Sequence, residues 1–188
     1  MKYPEGSVHG RFQPLHNGHL KYILGAKAQC DFLWVGVTQF NVRHLVESPL
    51  ATHRHEDMNN PLTYNERLEM IKGTLIDHGI TSRQFDVIPF PIEIPDCLAD
   101  FLPKRVPIFT TVCEEWNRYK VEILKKAGYK VVVLWEDSVK EIDGMTIRRM
   151  IFENDERWKR LVPSSTVKIV EKYGIRERIK LLKEKSNQ

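Results

Sequence analysis

The chain has 188 residues, of which 41% are hydrophobic and 29% charged, and its formal net charge is +4. This composition is typical of one globular domain with a sizeable core, and the mild positive charge suits small anionic ligands without indicating nucleic acid. No apolar run approaches the ~20 residues of a membrane span, and a signal peptide is not evident. Three widely spaced cysteines indicate reduced thiols. A cytoplasmic protein without membrane contact is therefore expected.

Strands and helices alternate along the first 140 residues. Apolar patterns predict strands over residues 8–12, 31–38, 85–90, 106–112 and 129–135. Helices are predicted between them, over residues 17–29, 63–79, 95–102 and 114–127. The strand over 129–135 is apolar on both faces, which predicts a central position in the sheet. The alternation predicts an α/β fold, a Rossmann-like doubly wound parallel sheet of about five strands.

The second predicted helix has a specific start signal, and the strand signals stop after residue 140. Thr63 followed by Glu66 is a capping-box pattern. Helical patterns occupy residues 144–152, 164–173 and 175–185, and the basic residues of the last helix indicate a solvated face. We expect a nucleotide-binding α/β domain over residues 1–140. A C-terminal helical segment over residues 141–188 is expected to pack on it, giving a single globular unit.

The motif with the clearest chemistry joins the first strand to the first helix. It is the run Gly-Arg-Phe-Gln-Pro-Leu-His-Asn-Gly-His over residues 10–19. His16 and His19 are three residues apart, so they share one face of the first helical turn, where free N–H groups and the helix dipole favour an anion. Gly10 is expected to permit a tight turn and Gly18 the close approach of a ligand. The motif predicts a phosphate cradle with two imidazole donors.

A second phosphate site is predicted in the loop that follows the last strand and opens the helix at residue 144. Gly144 suits a turn, the hydroxyl of Thr146 can donate to a phosphate oxygen, and Arg148 can bind one bidentately. Loops that follow parallel strands meet at one edge of the sheet. The second loop is therefore expected beside the first motif.

Candidates for binding an anionic acceptor lie in the segment 39–60, where regular periodicity disappears, and in the helix that follows. They are Arg43, His44, His53, Arg54, His55 and Arg67. Long loops are often functional, but this one is equally well interpreted as a solvated loop, and Arg67 as structural. His53 and His55 lack further ligands at metal-binding spacing, so no metal held by the protein is predicted.

The run over residues 10–19 resembles the His-x-Gly-His signature of the nucleotidylyltransferase superfamily, and the chain is similar to archaeal-type nicotinamide-nucleotide adenylyltransferases. Residues 142–148 resemble the second signature, Ile-Ser-x-Thr-x-Ile-Arg, with Asp143 and Met145 in place of hydroxyl residues. An aspartate near a triphosphate needs Mg²⁺ or the helix N-terminus to offset its charge. The resemblance implies the following assignments. Catalytic residues are His16, His19 and Arg148, and nucleotide- or phosphate-binding residues are Gly10, Arg11, Phe12, Gln13, Gly18, Gly144 and Thr146.

The implied reaction moves a nucleoside monophosphate from ATP or CTP to a phosphate or phosphonate acceptor, releasing pyrophosphate with Mg²⁺ as cofactor. Overall similarity makes nicotinamide-nucleotide adenylyltransferase the expected function, with ATP and nicotinamide mononucleotide giving NAD, and a cytidylyltransferase is the alternative. Two departures favour a cytidylyltransferase acting on a small phosphate or phosphonate instead: the long segment 39–60, and the absence of Ser-Gly-Asn at residues 110–116. A catalytically inactive nucleotide sensor is a third hypothesis, which the intact histidine pair argues against. The sequence leaves the oligomeric state open, a homo-oligomer included.

Overall fold

The computed structural model describes residues 2–47, 56–113, 115–136 and 142–186, without the side chains of residues 115 and 116. The strands in this part of the chain are β1 (Tyr3–Gly10), β2 (Cys30–Val37), β3 (Phe85–Pro89), β4 (Ile108–Val112) and β5 (Val131–Glu136). The α-helices are α1 (Asn17–Lys27), α2 (Tyr64–Asp77), α3 (Glu115–Lys126), α4 (Gly144–Glu153), α5 (Ser164–Lys172) and α6 (Ile175–Ser186). Short 3₁₀ helices cover Asp57–Asn59, Pro95–Asp100 and Glu156–Leu161.

The strands form one parallel sheet in the order β3-β2-β1-β4-β5, which confirms the predicted Rossmann-like α/β fold. Gly10 pairs with Val37, and Val37 pairs with Pro89, so the first three strands end level with one another. The chain order reverses between β1 and β4. Ligands of open parallel sheets bind outside the carboxyl ends of the strands at such a reversal.

The predicted position of β5 is wrong, because this strand lies at the edge of the sheet. Its apolar run suggested burial on both faces, yet the side chain of Val133 is 39% exposed. An apolar run does not report how many neighbouring strands a strand has. The interior positions belong instead to β2, β1 and β4, and the first two of these include the fully buried Val8, Leu33 and Val35.

Two hydrophobic clusters cover the two faces of the sheet. One cluster joins α1 and α2 to the C-terminal helices, through residues such as Ile23, Met70 and Ile147. The other packs the Pro95–Asp100 turn and α3 against the opposite face, through residues such as Leu98 and Leu124. None of the helices in the described ranges is long and apolar enough to cross a membrane.

Tyr22 of α1 separates β1 from β4 at the point where the strand order reverses. The N–H of Ser7 donates to the carbonyl of Pro107 (2.9 Å), so a regular ladder would next join the His9 N–H to the Phe109 carbonyl. The buried Tyr22 hydroxyl stands between those two groups, accepting from the N–H (3.3 Å) and donating to the carbonyl (2.6 Å). It therefore satisfies both backbone groups while the strands diverge.

Replacing Tyr22 by phenylalanine is expected to lower the free energy of unfolding by about 1–3 kcal/mol, because two buried backbone groups lose their partner. Urea unfolding measures the change. Tyr64→Phe is the matched control, since its half-buried hydroxyl makes one longer bond, to the Val87 carbonyl (3.3 Å). An equal loss in both variants would contradict the bridging role of Tyr22.

The C-terminal helix α6 is fixed to the start of α2 by a bidentate ion pair. Arg178 donates to both carboxylate oxygens of Glu66 (2.6 and 2.8 Å) and to the carbonyl of Pro61 (2.8 Å). Glu66 also completes the capping box with Thr63, as predicted. Burial alone would raise the pKa of Glu66, but the hydrogen bonds from Arg178 and from the Thr63 N–H lower it below the ordinary value of 4.5.

A lowered folded-state pKa means that Glu66 contributes stability above pH 4.5, and that this contribution is lost as the pH falls through the lowered value. Glu66→Gln is expected to cost about 1–2 kcal/mol at pH 7, where Arg178 loses a charged partner. That gap to the unmodified chain should shrink below pH 4.5, as measured by urea unfolding across pH. Glu69→Gln is the control, because its carboxylate is 40% exposed, and it should show a much smaller gap.

Candidate active site

The turn after β1 is built around the ring of Phe12. This residue has a left-handed backbone (φ 53°) and is fully buried. Its ring lies so close to Gly10 that a Cβ there would be 2.9 Å from it. Gly10 is thus required by close packing, and the predicted tight turn is made instead by Phe12. The same ring meets His19 edge-on, with centroids 5.0 Å apart, so Phe12 supports a histidine.

His16 and His19 lie together at the start of α1, as the spacing predicted. His16 is the N-cap residue, and its Nδ1 accepts the backbone N–H of His19 (3.3 Å). The two rings stack with centroids 3.7 Å apart and planes inclined by 25°. Gly18 is exposed beside them, and a Cβ there would be 3.1 Å from Nδ1 of His16. Two adjacent imidazoles thus lie at a helix N-terminus, and Gly18 has no side chain to block a ligand from the backbone there. This arrangement suits a phosphate group.

Arg148 reaches from α4 to the same turn. Its side chain is only 6% exposed, and its Nη1 donates to the Gln13 carbonyl (2.7 Å) while Nη2 donates to Oδ1 of Asn59. Burial lowers the pKa of this guanidinium to about 10, so it is charged at neutral pH. The second predicted loop therefore does lie beside the first, with the Ile142 carbonyl 4.0 Å from a Cβ built on Gly18.

Asp143 caps α4. Its carboxylate accepts the backbone N–H of Thr146 (2.8 Å) and the hydroxyl of the same residue (3.0 Å). Burial acts to raise the pKa of Asp143, but these hydrogen bonds and nearby His16 bring it below its ordinary value. The Thr146 hydroxyl donates to this carboxylate, so its expected donation to a phosphate is not what the structure shows. Asp143 fills the position of the signature serine by accepting N–H groups as a serine cap would.

The side chain of Gln13 is paired with the backbone of another loop, and its role in binding phosphate stays a prediction. Its Nε2 donates to the Leu62 carbonyl and its Oε1 accepts the Leu62 N–H, both at 2.8 Å. Gln39 makes the same two-way pairing with Val46 (2.6 and 3.0 Å). We call these pairings, Gln13 with Leu62 and Gln39 with Val46, the two glutamine clips. In each, the side-chain amide bonds to a backbone N–H and carbonyl, as a neighbouring strand would, and fixes a loop at the carboxyl edge of the sheet.

Arg67 is a structural residue, and the expectation that it binds the acceptor is not supported. It is fully buried, and burial lowers its pKa to about 10. All five of its N–H groups donate to backbone carbonyls, those of Thr63, Arg11, Thr38, Gln39 and Phe40, at 2.9–3.3 Å. No donor remains for a ligand. Arg67 instead holds the loops that follow β1 and β2.

The other acceptor candidates are divided between described and undescribed parts of the chain. Arg43 and His44 are exposed in the loop after β2, while Arg11 is half-buried in the turn after β1. His53, Arg54 and His55 lie outside the described residues. After β4, Cys113 donates its N–H to Oδ1 of Asn117 (3.3 Å). A side chain of α3 therefore binds the backbone of the loop between β4 and α3.

Two buried polar residues near this edge were not predicted as site residues. His9 stacks on Phe90 with ring centroids 4.6 Å apart and planes inclined by 4°. A Cβ on Gly36 would lie 2.4 Å from the Phe90 ring, which covers that strand. Asn59 binds Arg148 as described above. His9 could have been found from the sequence, because it is a polar residue in an apolar strand. Asn59 could not, because it is one of many polar residues in its segment.

The chain matches a known family and several known proteins over most of its length. A family model described as cytidylyltransferase-like matches residues 8–179. The chain is 35% identical to a phosphonoformate cytidylyltransferase of Streptomyces viridochromogenes, over 93% of this chain and 95% of that protein. It is 34% identical to a nicotinamide-nucleotide adenylyltransferase of Saccharolobus solfataricus, over 88% of each.

Solved structures share the fold. A bifunctional NMN adenylyltransferase/ADP ribose pyrophosphatase from Francisella tularensis matches with a TM-score of 0.72 at 18% identity. The match covers 98% of this chain and 54% of that one, so this chain spans about half the length of that structure. At this identity the likeness concerns the fold alone.

Proposed function

Because the chain belongs to the cytidylyltransferase-like family, as its signatures indicated, we propose that it is a nucleotidylyltransferase. The observation that carries the proposal is the stacked pair His16 and His19 at the N-terminus of α1, with the guanidinium of Arg148 buried against the same turn. Two imidazoles, a helix N-terminus and an arginine at a sheet's carboxyl edge suit a triphosphate.

In the proposed reaction an oxygen of the acceptor's phosphate or phosphonate attacks the α-phosphorus of a nucleoside triphosphate in line. The bond from that phosphorus to the bridging oxygen of the β-phosphate breaks, and pyrophosphate leaves with the electron pair. The attacking oxygen is already anionic, so catalysis depends on positioning and on stabilising charge. His16 and His19 act on the α- and β-phosphate oxygens, Arg148 on the β- and γ-phosphates, and Arg11 on the acceptor or triphosphate.

Mg²⁺ is proposed to arrive bound to the triphosphate. Within the described ranges no three His, Cys, Asp or Glu side chains group as a metal site, and the Asp143 carboxylate is engaged in capping α4. Mg²⁺ commonly binds substrate phosphates with few protein ligands. When bound, it would neutralise charge on the leaving pyrophosphate.

The favoured substrates are CTP and a small phosphonate or phosphate. Support comes from the phosphonoformate cytidylyltransferase, 35% identical over nearly all of both chains, and from the absence of Ser-Gly-Asn after β4. A second candidate is NAD synthesis from ATP and nicotinamide mononucleotide. The 34% identity to the Saccharolobus solfataricus nicotinamide-nucleotide adenylyltransferase favours it.

A pyrophosphate-release screen separates these functions. ATP and CTP are each combined with nicotinamide mononucleotide and with small phosphonates, phosphonoformate included, in the presence of Mg²⁺. Release with CTP and a phosphonate is the expected result, whereas release only with ATP and the mononucleotide would establish the second candidate. Nucleotide binding without pyrophosphate release from any pair would favour a sensor and contradict the proposal.

A further inference from the structure

We propose that Asn59 is a positioning residue that holds Arg148 in the orientation needed to bind the triphosphate. Asn59 ends the 3₁₀ turn Asp57–Asn59, just before α2, and is 9% exposed. Its Oδ1 accepts a hydrogen bond from Nη2 of Arg148. This inference rests on the proposed function, because it gives Arg148 a phosphate to bind.

The turn that carries Asn59 is fixed by its own hydrogen bonds. Nδ2 of Asn59 donates to the Glu56 carboxylate (2.8 Å), and Nδ2 of Asn60 donates to the Glu56 carbonyl (2.9 Å). The amide of Asn59 is thus held on its nitrogen side while its oxygen faces Arg148. Because the bond to Glu56 holds the Asn59 amide in place, its oxygen is a fixed acceptor for the Arg148 guanidinium.

Two protein oxygens orient the guanidinium of Arg148, and they come from different elements. The Gln13 carbonyl belongs to the turn after β1, and Oδ1 of Asn59 belongs to the turn before α2. A guanidinium has five N–H donors in one plane, so these two bonds fix the plane and leave three donors for phosphate oxygens. Fixing the plane in advance lowers the entropic cost of bidentate phosphate binding.

The neutral amide matters as much as its position. An amide oxygen accepts the hydrogen bond without cancelling the positive charge of Arg148, which then acts on the phosphates. A carboxylate at residue 59 would form a buried ion pair with Arg148 and compete with phosphate for its donors. Asn59→Asp keeps the size of the side chain and an acceptor oxygen beside Arg148, but it adds this charge and replaces the Nδ2 donor to the Glu56 carboxylate by an oxygen. Asn59→Ala also loses the bond to Glu56 but adds no charge, so the difference between the two variants reports the added charge.

The experiment measures binding of inorganic triphosphate with Mg²⁺ by titration calorimetry, in the unmodified chain and in Asn59→Asp, Asn59→Ala and Asn60→Ala. Asn60→Ala is the matched control, because Asn60 is buried in the same turn and bonds to Glu56 through the same type of amide. We expect Kd to rise about tenfold or more in Asn59→Asp and less in Asn59→Ala, with less than about a twofold rise in Asn60→Ala. In steady-state kinetics the KM for the nucleotide should rise with that Kd, while the KM for the acceptor stays constant.

Unchanged triphosphate binding in Asn59→Asp, or an equal loss in Asn60→Ala, would overturn the role of Asn59 and leave the proposed function intact. If the unmodified chain released no pyrophosphate from any pair in the substrate screen, the proposed function itself would fail, and the inference with it. Circular dichroism melts of all four proteins show whether each variant is folded.

Discussion

Replacing His19 by alanine is expected to lower kcat by more than tenfold, with losses of about 10² typical for removing one such transition-state donor. The imidazole stacks on His16 at the N-terminus of α1, where the α-phosphate is proposed to bind. Because its interaction with the phosphate strengthens as charge develops, kcat should fall more than the KM for the nucleotide rises. Pyrophosphate-release kinetics with the substrate pair found in the screen give both values.

His78→Ala is the control for this experiment. His78 lies at the C-terminus of α2, where Nδ1 is 2.8 Å from the Thr74 carbonyl, at the opposite end of α2 from the site. Its removal should leave kcat within about twofold of the unmodified value, as expected for a change remote from the reacting groups. Wild-type-like turnover in His19→Ala would contradict the catalytic assignment.

Arg67→Met is expected to cause the largest loss of stability among single substitutions considered for this site. Five hydrogen bonds disappear together, and each buried carbonyl left without a partner costs about 1–3 kcal/mol, although these costs do not add fully. We expect the free energy of unfolding to fall by at least about 3 kcal/mol, as measured in urea. Arg67→Lys keeps the charge but has three donors and should recover only part of the loss.

Arg83→Met removes the same side chain from an exposed position and is the matched control. Its effect should be within about 0.5 kcal/mol. If Arg67→Met were as stable as this control, the guanidinium would not be holding the loops after β1 and β2. Full recovery by Arg67→Lys would show instead that charge, rather than the five-donor geometry, maintains them.

Local signals in the sequence were sufficient for much of the fold. Thr63 and Glu66 marked the start of α2 because a capping box depends only on residues three apart. The same is true of His16 and His19, whose helical spacing alone brought them together. The parallel sheet followed from the alternation of strands and helices, which needs no knowledge of distant contacts.

What could not be predicted depends on contacts between residues far apart in the chain. The edge position of β5 follows from strand order, which apolar runs do not encode. Arg67 was a candidate for binding the acceptor, and Gln13 was assigned to phosphate through the family resemblance. In the structure Arg67 donates to backbone carbonyls and Gln13 pairs with the backbone of Leu62. Tyr22 and Asn59 act through hydrogen bonds to residues far away in the chain, for which the sequence carries no periodic signal.

The two glutamine clips fix the backbone on both sides of the segment between Val46 and Leu62. Gln39 fixes the backbone at Val46, and Gln13 fixes it at Leu62, each through its own side-chain amide. Neither anchor uses a residue between positions 47 and 56. Loops from relatives with other acceptors can therefore be grafted between these positions while both ends and the histidine pair keep their places. Acceptor preference measured in such chimeras tests the prediction that His53, Arg54 and His55 bind the acceptor.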